Sequence, residues 1–211
     1  MRSSAEQNRQ YFRQAYESGR HGWGAEPAPQ VLHNLGLLAA KAGSRRLLDL
    51  GCGEGRHCLP AARKGFDPVG VDYEPGALRR AKARAHEAGL EAAISFLVAD
   101  IFDLPFRAAT FDVVLDYGCL HHQRKADWPR YLSSLRWVLR PGGHLLLSTF
   151  STHFRTYGPQ ERSWHLAHGA YRRFFTAGDL HGLFDRDFEF LSLEEERDEQ
   201  RGFWHALLRR R

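Results

Sequence analysis

The chain reads as an α/β protein, a doubly wound sheet of mostly parallel strands with helices on both faces. Three observations predict it. Short apolar runs of strand length recur along the chain, beginning with Leu47-Leu48-Asp49-Leu50 and Val69-Gly70-Val71-Asp72. Between them lie longer stretches whose apolar residues keep the i, i+3, i+4 spacing of a helix. Glycines and prolines stand at the joints, and strands alternating with helices of this length form a parallel sheet covered on both sides.

Residues 1–42 read as a helical lead-in with a break. Tyr11, Phe12, Ala15 and Tyr16 fall at helical spacing, Gly19 to Pro29 interrupts them, and a second helix carries Val31, Leu32, Leu35, Leu38 and Ala39 toward Gly43. The first strand runs straight into Gly51-Cys52-Gly53-Glu54-Gly55, and a helical stretch follows to Gly65. The second strand ends at Asp72. Pro75 suits the first turn of the next helix, which keeps Ala77, Leu78, Ala81 and Ala85 on one face and stops at Gly89. Ala93 to Val98 makes a third strand and Phe111 to Asp116 a fourth. Trp128, Tyr131, Leu132, Leu135, Val138 and Leu139 mark a helix between Asp127 and Arg140. Pro141-Gly142-Gly143 is expected to turn the chain into a fifth strand, His144 to Phe150. Thr176-x-x-Asp179 has the form of a capping box ahead of Leu180, Leu183 and Phe184. Two late strands cover Phe188 to Leu193 and Phe203 to Leu208. With no internal repeat and no linker, residues 1–211 are expected to form one domain whose ligand-binding core is 45–150.

Composition narrows the function classes. At 43% hydrophobic and 26% charged, the chain has the make-up of an ordinary globular protein. No stretch approaches the roughly 18 apolar residues of a membrane span. Met1-Arg2-Ser3-Ser4-Ala5 lacks the apolar run of a signal peptide, and Cys52, Cys58 and Cys119 cannot make a disulfide framework. The expectation is a soluble, cytoplasmic protein. A net charge of +5 invites a nucleic-acid partner, but Arg79, Arg80, Lys82 and Arg84 read as the wet face of one helix.

A loop at the carboxyl end of the first parallel strand is where α/β sheets bind ligands. Glycines at 51, 53 and 55 let backbone approach a ligand with no Cβ in the way. Asp72, at the end of the second strand, can accept hydrogen bonds from both hydroxyls of a ribose. The same features could make only a tight turn, but strand before, helix after and acid at the next strand end together point to a nucleotide-type site. The glycine spacing is G-x-G-x-G rather than the dinucleotide G-x-G-x-x-G, and no Lys-Ser or Lys-Thr follows it. Asp49 and Glu54 suit a ligand with a cationic amino group and a sulfonium better than one with phosphates.

The segment from Leu47 to Gly55 resembles the first motif of the class I S-adenosylmethionine-dependent methyltransferases. Further marks follow in order: Val71-Asp72, Ala99-Asp100-Ile101-Phe102-Asp103-Leu104-Pro105-Phe106, Phe111-Asp112-Val113-Val114, and Val138-Leu139-Arg140-Pro141-Gly142-Gly143. The resemblance covers roughly residues 45–150. It implies a Rossmann-like sheet of seven strands with one antiparallel strand near its edge, and S-adenosylmethionine as cofactor. It also implies a set of contacts. Asp49, Gly51, Cys52, Gly53 and Gly55 would lie along the methionine part, Asp72 would hold the ribose, Asp100 with the Ile101 N–H would meet the adenine between Tyr73 and Phe102, and Asp116 would join the cofactor contacts.

Asp116-Tyr117-Gly118-Cys119-Leu120-His121-His122 stands where this fold brings an acceptor to the methyl group. The segment resembles the same strand end of the thiol, thiopurine and tellurite-resistance methyltransferases, with Tyr117 in place of their arginine. Methyl transfer is mostly in-line positioning. An oxygen or nitrogen acceptor also needs a base, a role open to His121 or His122, whereas a thiolate does not. Adjacent side chains are expected to diverge, so no shared metal site is assigned to them. Residues 151–174, with Tyr157 and Trp164 among their aromatics, are expected to form a lid, and Trp23 and Tyr117 to join it around the acceptor. The function expected is methyl transfer by in-line displacement to a small molecule, with a thiol or other soft nucleophile among the candidate acceptors. Transfer to RNA or another nucleic acid is the first alternative, and binding of the cofactor without catalysis the second.

Overall fold

The structure, a computed structural model, describes residues 4–19, 23–40, 45–154, 165–167, 170–199 and 201–211. Its strands are β1 (Arg46–Leu50), β2 (Asp67–Asp72), β3 (Ser95–Val98), β4 (Phe111–Tyr117), β5 (Leu139–Phe150), β6 (His165–Ala167), β7 (Ala170–Arg172), β8 (Phe188–Arg197) and β9 (Gly202–Arg210). Its helices are α1 (Ser4–Ser18), α2 (Pro29–Ala39), α3 (Cys58–Arg63), α4 (Pro75–Glu87), α5 (Trp128–Val138) and α6 (Ala177–Phe184). Seven strands form one sheet in the order β3-β2-β1-β4-β5-β9-β8, while β6 and β7 pair as a separate hairpin. Every neighbouring pair from β3 to β5 is parallel, and β9 runs antiparallel to both β5 and β8. This is the seven-stranded, mostly parallel sheet expected, with its one reversed strand next to the edge.

Period-two alternation splits the strands between two apolar layers. Leu48, Leu50, Val114, Leu145 and Leu147 pack under Trp128, Tyr131, Leu135 and Val138 of α5 and under Leu180 and Phe184 of α6. Leu47, Val113, Leu115, Leu146 and Leu207 face Val31, Leu35 and Leu38 of α2 and Ala61 of α3. Leu78 and Ala85 of α4 join Cys58 and Phe96 in a third cluster beside them. Pro75 sits in the first turn of α4, whose start is capped by the Glu74 carboxylate accepting from the Gly76 N–H. The capping box of α6 forms as expected: the Asp179 N–H donates to Thr176 Oγ1, and the Thr176 N–H donates to Asp179.

One expected boundary moves. Pro141-Gly142-Gly143 does not turn the chain into a new strand. β5 already starts at Leu139, opposite Phe111, and the glycine pair bulges within it before His144 pairs with Val113. Gly142 takes a φ of +72°, which lets the extra residues fold out of the ladder.

A second correction concerns Asp116, expected among the cofactor contacts. Its side chain lies on the α5 face of the sheet and is fully buried. Its oxygens accept from the backbone N–H of Cys119 at 2.7 Å and of Leu120 at 3.1 Å, and from the Tyr131 hydroxyl at 2.6 Å. Asp116 therefore fastens α5 to β4 and starts the short helical turn Leu120–His122. Burial pushes its carboxyl up to about 6, and these hydrogen bonds oppose the shift. Tyr131→Phe removes one partner of a buried carboxylate, and urea denaturation is expected to show a loss of about 1.5–3 kcal/mol.

Candidate functional site

The strand order reverses between β1 and β4, so the loops that leave their carboxyl ends diverge and open a cleft. The loop after β1 begins as the Cys52 N–H donates to the Val71 carbonyl at 2.9 Å, tying it to β2. Gly51 has φ +62°, and a Cβ there would lie 2.4 Å from Cys119 Sγ. Gly53 has φ +55°, and its Cβ would lie 2.6 Å from Tyr16 Oη. Neither position admits a side chain, for reasons of both backbone conformation and space. Gly55 packs on the Phe96 ring. Cys52 turns its thiol into the apolar layer beside Cys58, so its side chain serves the loop from below and does not line the cleft.

Asp72 holds the two sides of the site together. One carboxylate oxygen accepts from the Gly53 N–H at 3.0 Å and the other from the Glu74 N–H at 2.9 Å. Each oxygen keeps a further lone pair. Burial raises its carboxyl to about 6 against the pull of the Glu74, Gly53 and Tyr73 N–H groups. Asp49 is buried on the α3 side, 3.3 Å from Cys58 Sγ, and burial raises it to about 7 while Cys58 and Arg56 oppose the shift. Asp100 accepts from the Phe102 N–H at 3.0 Å and pairs with Arg9 at 2.6 Å. The Ile101 side chain enters the core, and the Phe102 ring lies 4.8 Å from the Arg130 guanidinium. Tyr73 stands beside Asp72, its buried hydroxyl without a partner among the described residues.

The element that roofs this edge is α1, which the sequence presents only as a lead-in. Arg9 reaches Asp100 and stands 5.4 Å from the centre of the Tyr73 ring. Arg13 pairs with Glu74 at 3.3 Å. Asn8 donates to the His122 carbonyl at 3.0 Å and accepts from the Tyr171 N–H at 2.8 Å. Phe12 meets His122, Trp23 and Tyr73 with ring centres 4.9, 5.7 and 6.3 Å away. Tyr16 lies against Gly53, and Trp23 packs on its ring at 5.3 Å.

At the end of β4 the adjacent histidines do not diverge. The helical turn that Asp116 starts brings their ring centres to 4.5 Å. His121 is buried and stacked on Phe150 at 3.7 Å. His122 bonds through Nδ1 to the Tyr171 carbonyl at 2.7 Å. A carbonyl only accepts, so Nδ1 carries the hydrogen and Nε2 keeps its lone pair. Burial lowers His122 to about 4, the Tyr171 bond opposing and the Arg172 charge assisting. His121 is driven well below its ordinary value by burial, His122 and Arg172.

Within 151–174, the described parts are Ser151–Phe154, the β6 backbone and the segment from Ala170 onward. Phe154 and Phe174 are core residues, packed with Phe150 and Phe203. The Arg173 N–H donates to the His121 carbonyl at 2.8 Å, so this stretch braces the histidine turn. Tyr157 and Trp164 lie outside the described residues. The structure thus gathers the glycine loop, Asp72, Tyr73, Asp100, Phe102, Tyr117, His121, His122 and Trp23 at one edge. Sequence reasoning missed Arg9, Asn8, Arg13 and Arg56. The first three show only as the polar face of a helix, and Arg56 only as the residue after the last loop glycine.

The chain resembles known proteins in sequence and in fold. A family model described as a methyltransferase domain matches residues 47–143. A 27-O-demethylrifamycin SV methyltransferase of Amycolatopsis mediterranei (strain S699) is 38% identical over 116 residues, 54% of this chain and 42% of that protein. A ubiquinone biosynthesis O-methyltransferase of Cereibacter sphaeroides (strain ATCC 17025 / ATH 2.4.3) is 39% identical over 106 residues, 50% of this chain and 41% of that protein. A norajmaline N-methyltransferase of Rauvolfia serpentina is 31% identical over 108 residues, 51% of this chain and 36% of that protein. The chain spans well under half the length of these relatives. Among solved structures, the Burkholderia thailandensis 1,6-didemethyltoxoflavin-N1-methyltransferase with bound 1,6-didemethyltoxoflavin and S-adenosylhomocysteine superposes with a TM-score of 0.77 at 23% identity, covering 100% of this chain and 91% of that one. At that identity the likeness is one of fold.

The close fit of Tyr16 over the loop can be measured. Gly53→Ala meets both a left-handed backbone and the Tyr16 hydroxyl, whereas Gly89→Ala, at φ +67° with nothing within 4 Å, meets only the backbone cost of about 1–2 kcal/mol. Denaturant titration is expected to show the larger loss for Gly53→Ala, with part of the difference recovered by adding Tyr16→Phe.

Proposed function

We propose that this chain is a class I S-adenosylmethionine-dependent methyltransferase that moves a methyl group from S-adenosylmethionine to an oxygen or nitrogen of a small molecule, a reading supported by the methyltransferase domain matched at residues 47–143. The observation that carries the reading is Asp72: a buried carboxylate at the end of β2, fixed by the Gly53 and Glu74 N–H groups, with a lone pair left on each oxygen. That is the acceptor set a ribose diol needs. The unpartnered Tyr73 hydroxyl beside it fits a ligand that brings polar atoms of its own. The O- and N-methyltransferases among the relatives support the choice of acceptor atom over a thiol.

The bound cofactor supplies a methyl group on a sulfonium, already a good leaving group. The chain's residues bind, orient and exclude water. Asp72 holds the ribose. Gly51, Gly53 and Gly55 let the backbone close on the methionine part, with Asp49 beneath as a carboxylate for its amino group. Asp100 and the Ile101 N–H receive the adenine, with Tyr73 and Phe102 at its faces. Helix α1 closes over them. Excluding water there strengthens each polar contact. Trp23 and Tyr117 line the acceptor side.

Of the two histidines, His122 is the base. His121 is buried under Phe150, whereas His122 is partly exposed with Nδ1–H committed to the Tyr171 carbonyl and Nε2 available to take a proton. Its lowered pKa keeps it neutral, and so able to accept, throughout pH 5–8.

Two outcomes test this reading. Asp49 and Asp72 sit above their ordinary values at about 7 and 6, so at mild acid both are partly protonated. Their raised values favour the protonated fold at low pH, and that advantage is lost as pH rises through 6–7. A ligand that brings an ammonium group to Asp49 and hydroxyl donors to Asp72 binds the ionised forms better. Calorimetric affinity for S-adenosylhomocysteine is therefore expected to rise from pH 5.5 to 8 with proton release, and Asp72→Asn to weaken it by about 1.5–3 kcal/mol and flatten the slope. A pH-independent affinity, unchanged in the variant, removes Asp72 from the site.

The second outcome concerns turnover. With a panel of phenols, amines and thiols and S-adenosylmethionine, release of S-adenosylhomocysteine is expected from an oxygen or nitrogen acceptor. His122→Gln is expected to lower kcat about 10²–10⁴-fold with cofactor affinity unchanged. Release only with thiols, or an unaffected kcat in the variant, sinks the assignment of the base.

A further inference from the structure

The α2 face of the sheet carries a second group of side chains at the same edge, beyond those assigned to the cofactor. Tyr117, Ser148 and His205 form one row across β4, β5 and β9, since Tyr117 pairs with Ser148 and Ser148 with His205. Phe203, two residues from His205 on β9, points the same way. Ser148 is the small member of the row, and over it the larger rings lean together. The ring centres of Tyr117 and Phe203 are 6.3 Å apart, of Tyr117 and His205 6.3 Å, and of Phe203 and His205 6.1 Å, with planes inclined by 27°, 34° and 16°. Three rings in a column would have one centre-to-centre distance twice the others. Equal spacing rules out a column, and the small inclinations group the three rings into one aromatic patch, a shelf.

The shelf is held rigidly. His205 Nδ1 lies 2.8 Å from Ser148 Oγ, and His205 Nε2 lies 3.1 Å from Glu196, which also accepts from Gln30. A carboxylate only accepts, so Nε2 carries the hydrogen and the serine hydroxyl donates to Nδ1. Both edges of the imidazole are spoken for, which fixes its plane. Tyr117 and Phe203 remain half-buried, so part of each ring is open.

At the margin of the shelf stands Arg56, its guanidinium carbon 4.8 Å from the centre of the Tyr117 ring. Its hydrogen bonds run from Nη1 to the carbonyls of Trp23, Gly24 and Glu26. Among the described residues no carboxylate pairs with it, and its Nε–Nη2 edge has no partner. A planar fork of two N–H donors matches a carboxylate in bidentate fashion. Asp49 offsets part of its charge, and the open fork beside low-dielectric rings still favours an anion there.

Building on the methyltransferase reading, we infer that the methyl acceptor is a planar aromatic molecule bearing a carboxylate, its ring on the open parts of Tyr117 and Phe203, which the buried His205 backs, and its carboxylate on the Nε–Nη2 edge of Arg56. The shelf supplies stacking area that is indifferent to ring substituents, and the arginine sets which way the ring lies. Chemistry of this kind separates aromatic acids from neutral phenols and from aliphatic acids.

The test uses protein saturated with S-adenosylhomocysteine, whose own binding is measured first. Binding of 3,4-dihydroxybenzoate, catechol and 3-mercaptopropionate is then followed by calorimetry, and methylation of each by product release with S-adenosylmethionine. The aromatic acid is expected to bind at least tenfold more tightly than either comparison compound and to be methylated. Arg56→Gln is expected to erase the advantage of the acid over catechol, and Phe203→Leu to weaken both, each leaving S-adenosylhomocysteine affinity unchanged. Arg56→Lys keeps the charge but not the fork, and is expected to behave as Arg56→Gln even where the latter folds poorly. If Arg56 variants lose S-adenosylhomocysteine instead, the guanidinium holds the cofactor and the inference is overturned. If the cofactor binds but the aliphatic acid matches the aromatic one, or neither aromatic binds, the shelf is packing alone and the methyltransferase reading survives. If S-adenosylhomocysteine fails to bind the parent protein, that reading falls first and the acceptor with it.

Discussion

Asp72 accepts one backbone N–H from each of two loops, and most of the carboxyl edge of the sheet depends on that bridge. The Gly53 N–H belongs to the loop after β1 and the Glu74 N–H to the loop after β2. Neither loop has a regular ladder to hold it. A carboxylate buried between two donors fixes their spacing with little freedom, and it does so only because Gly53 lacks the side chain that would collide with Tyr16. The bridge is strained electrostatically, since burial opposes the charge that the N–H groups favour. A site that holds carboxylates near their titration point in advance of ligand is one in which a cation changes the local balance most.

The roof over that bridge is drawn from far away in the chain. α1 contacts the site through side chains alone: Arg9 to Asp100, Arg13 to Glu74, Asn8 to the His122 carbonyl and the Tyr171 N–H. The guanidinium of Arg9 is half-exposed, so this ion pair adds little stability in water and is weakened by salt. The larger contribution is the aromatic contact of Phe12 and Tyr16 with Tyr73, Trp23 and the glycine loop. A helix held mainly by a stripe of rings can leave and return as a body without unravelling the sheet beneath.

Much of this edge was legible in the chain because its demands are local. Three glycines between a strand and a helix, and acids at the next two strand ends, reflect backbone conformations and hydrogen bonds that span a few residues. The capping box at Thr176 and Asp179 belongs to the same class. What could not be read depended on pairing across distance. Asp116 sits at a strand end like Asp72, yet it turns to the opposite face, where Tyr131 waits on a helix that the sequence places but does not orient. Pro141-Gly142-Gly143 has the composition of a turn, and only its pairing with β4 makes it a bulge. The stripe of Tyr11, Phe12, Ala15 and Tyr16 was visible as a helix face, while the surface it covers was not.

The two borders of the sheet are built differently. β3 is four residues long, and its exposed Leu97 and Val98 offer a neighbour little ladder to pair with. β8 runs for ten residues as the other border, long enough to template a foreign strand, and it carries Glu189, Glu194, Glu195 and Glu196. The same strand from another copy, laid along it, brings one glutamate-rich segment against another. Shortness blunts one border and charge the other, the two devices by which a sheet resists growth by edge-to-edge aggregation.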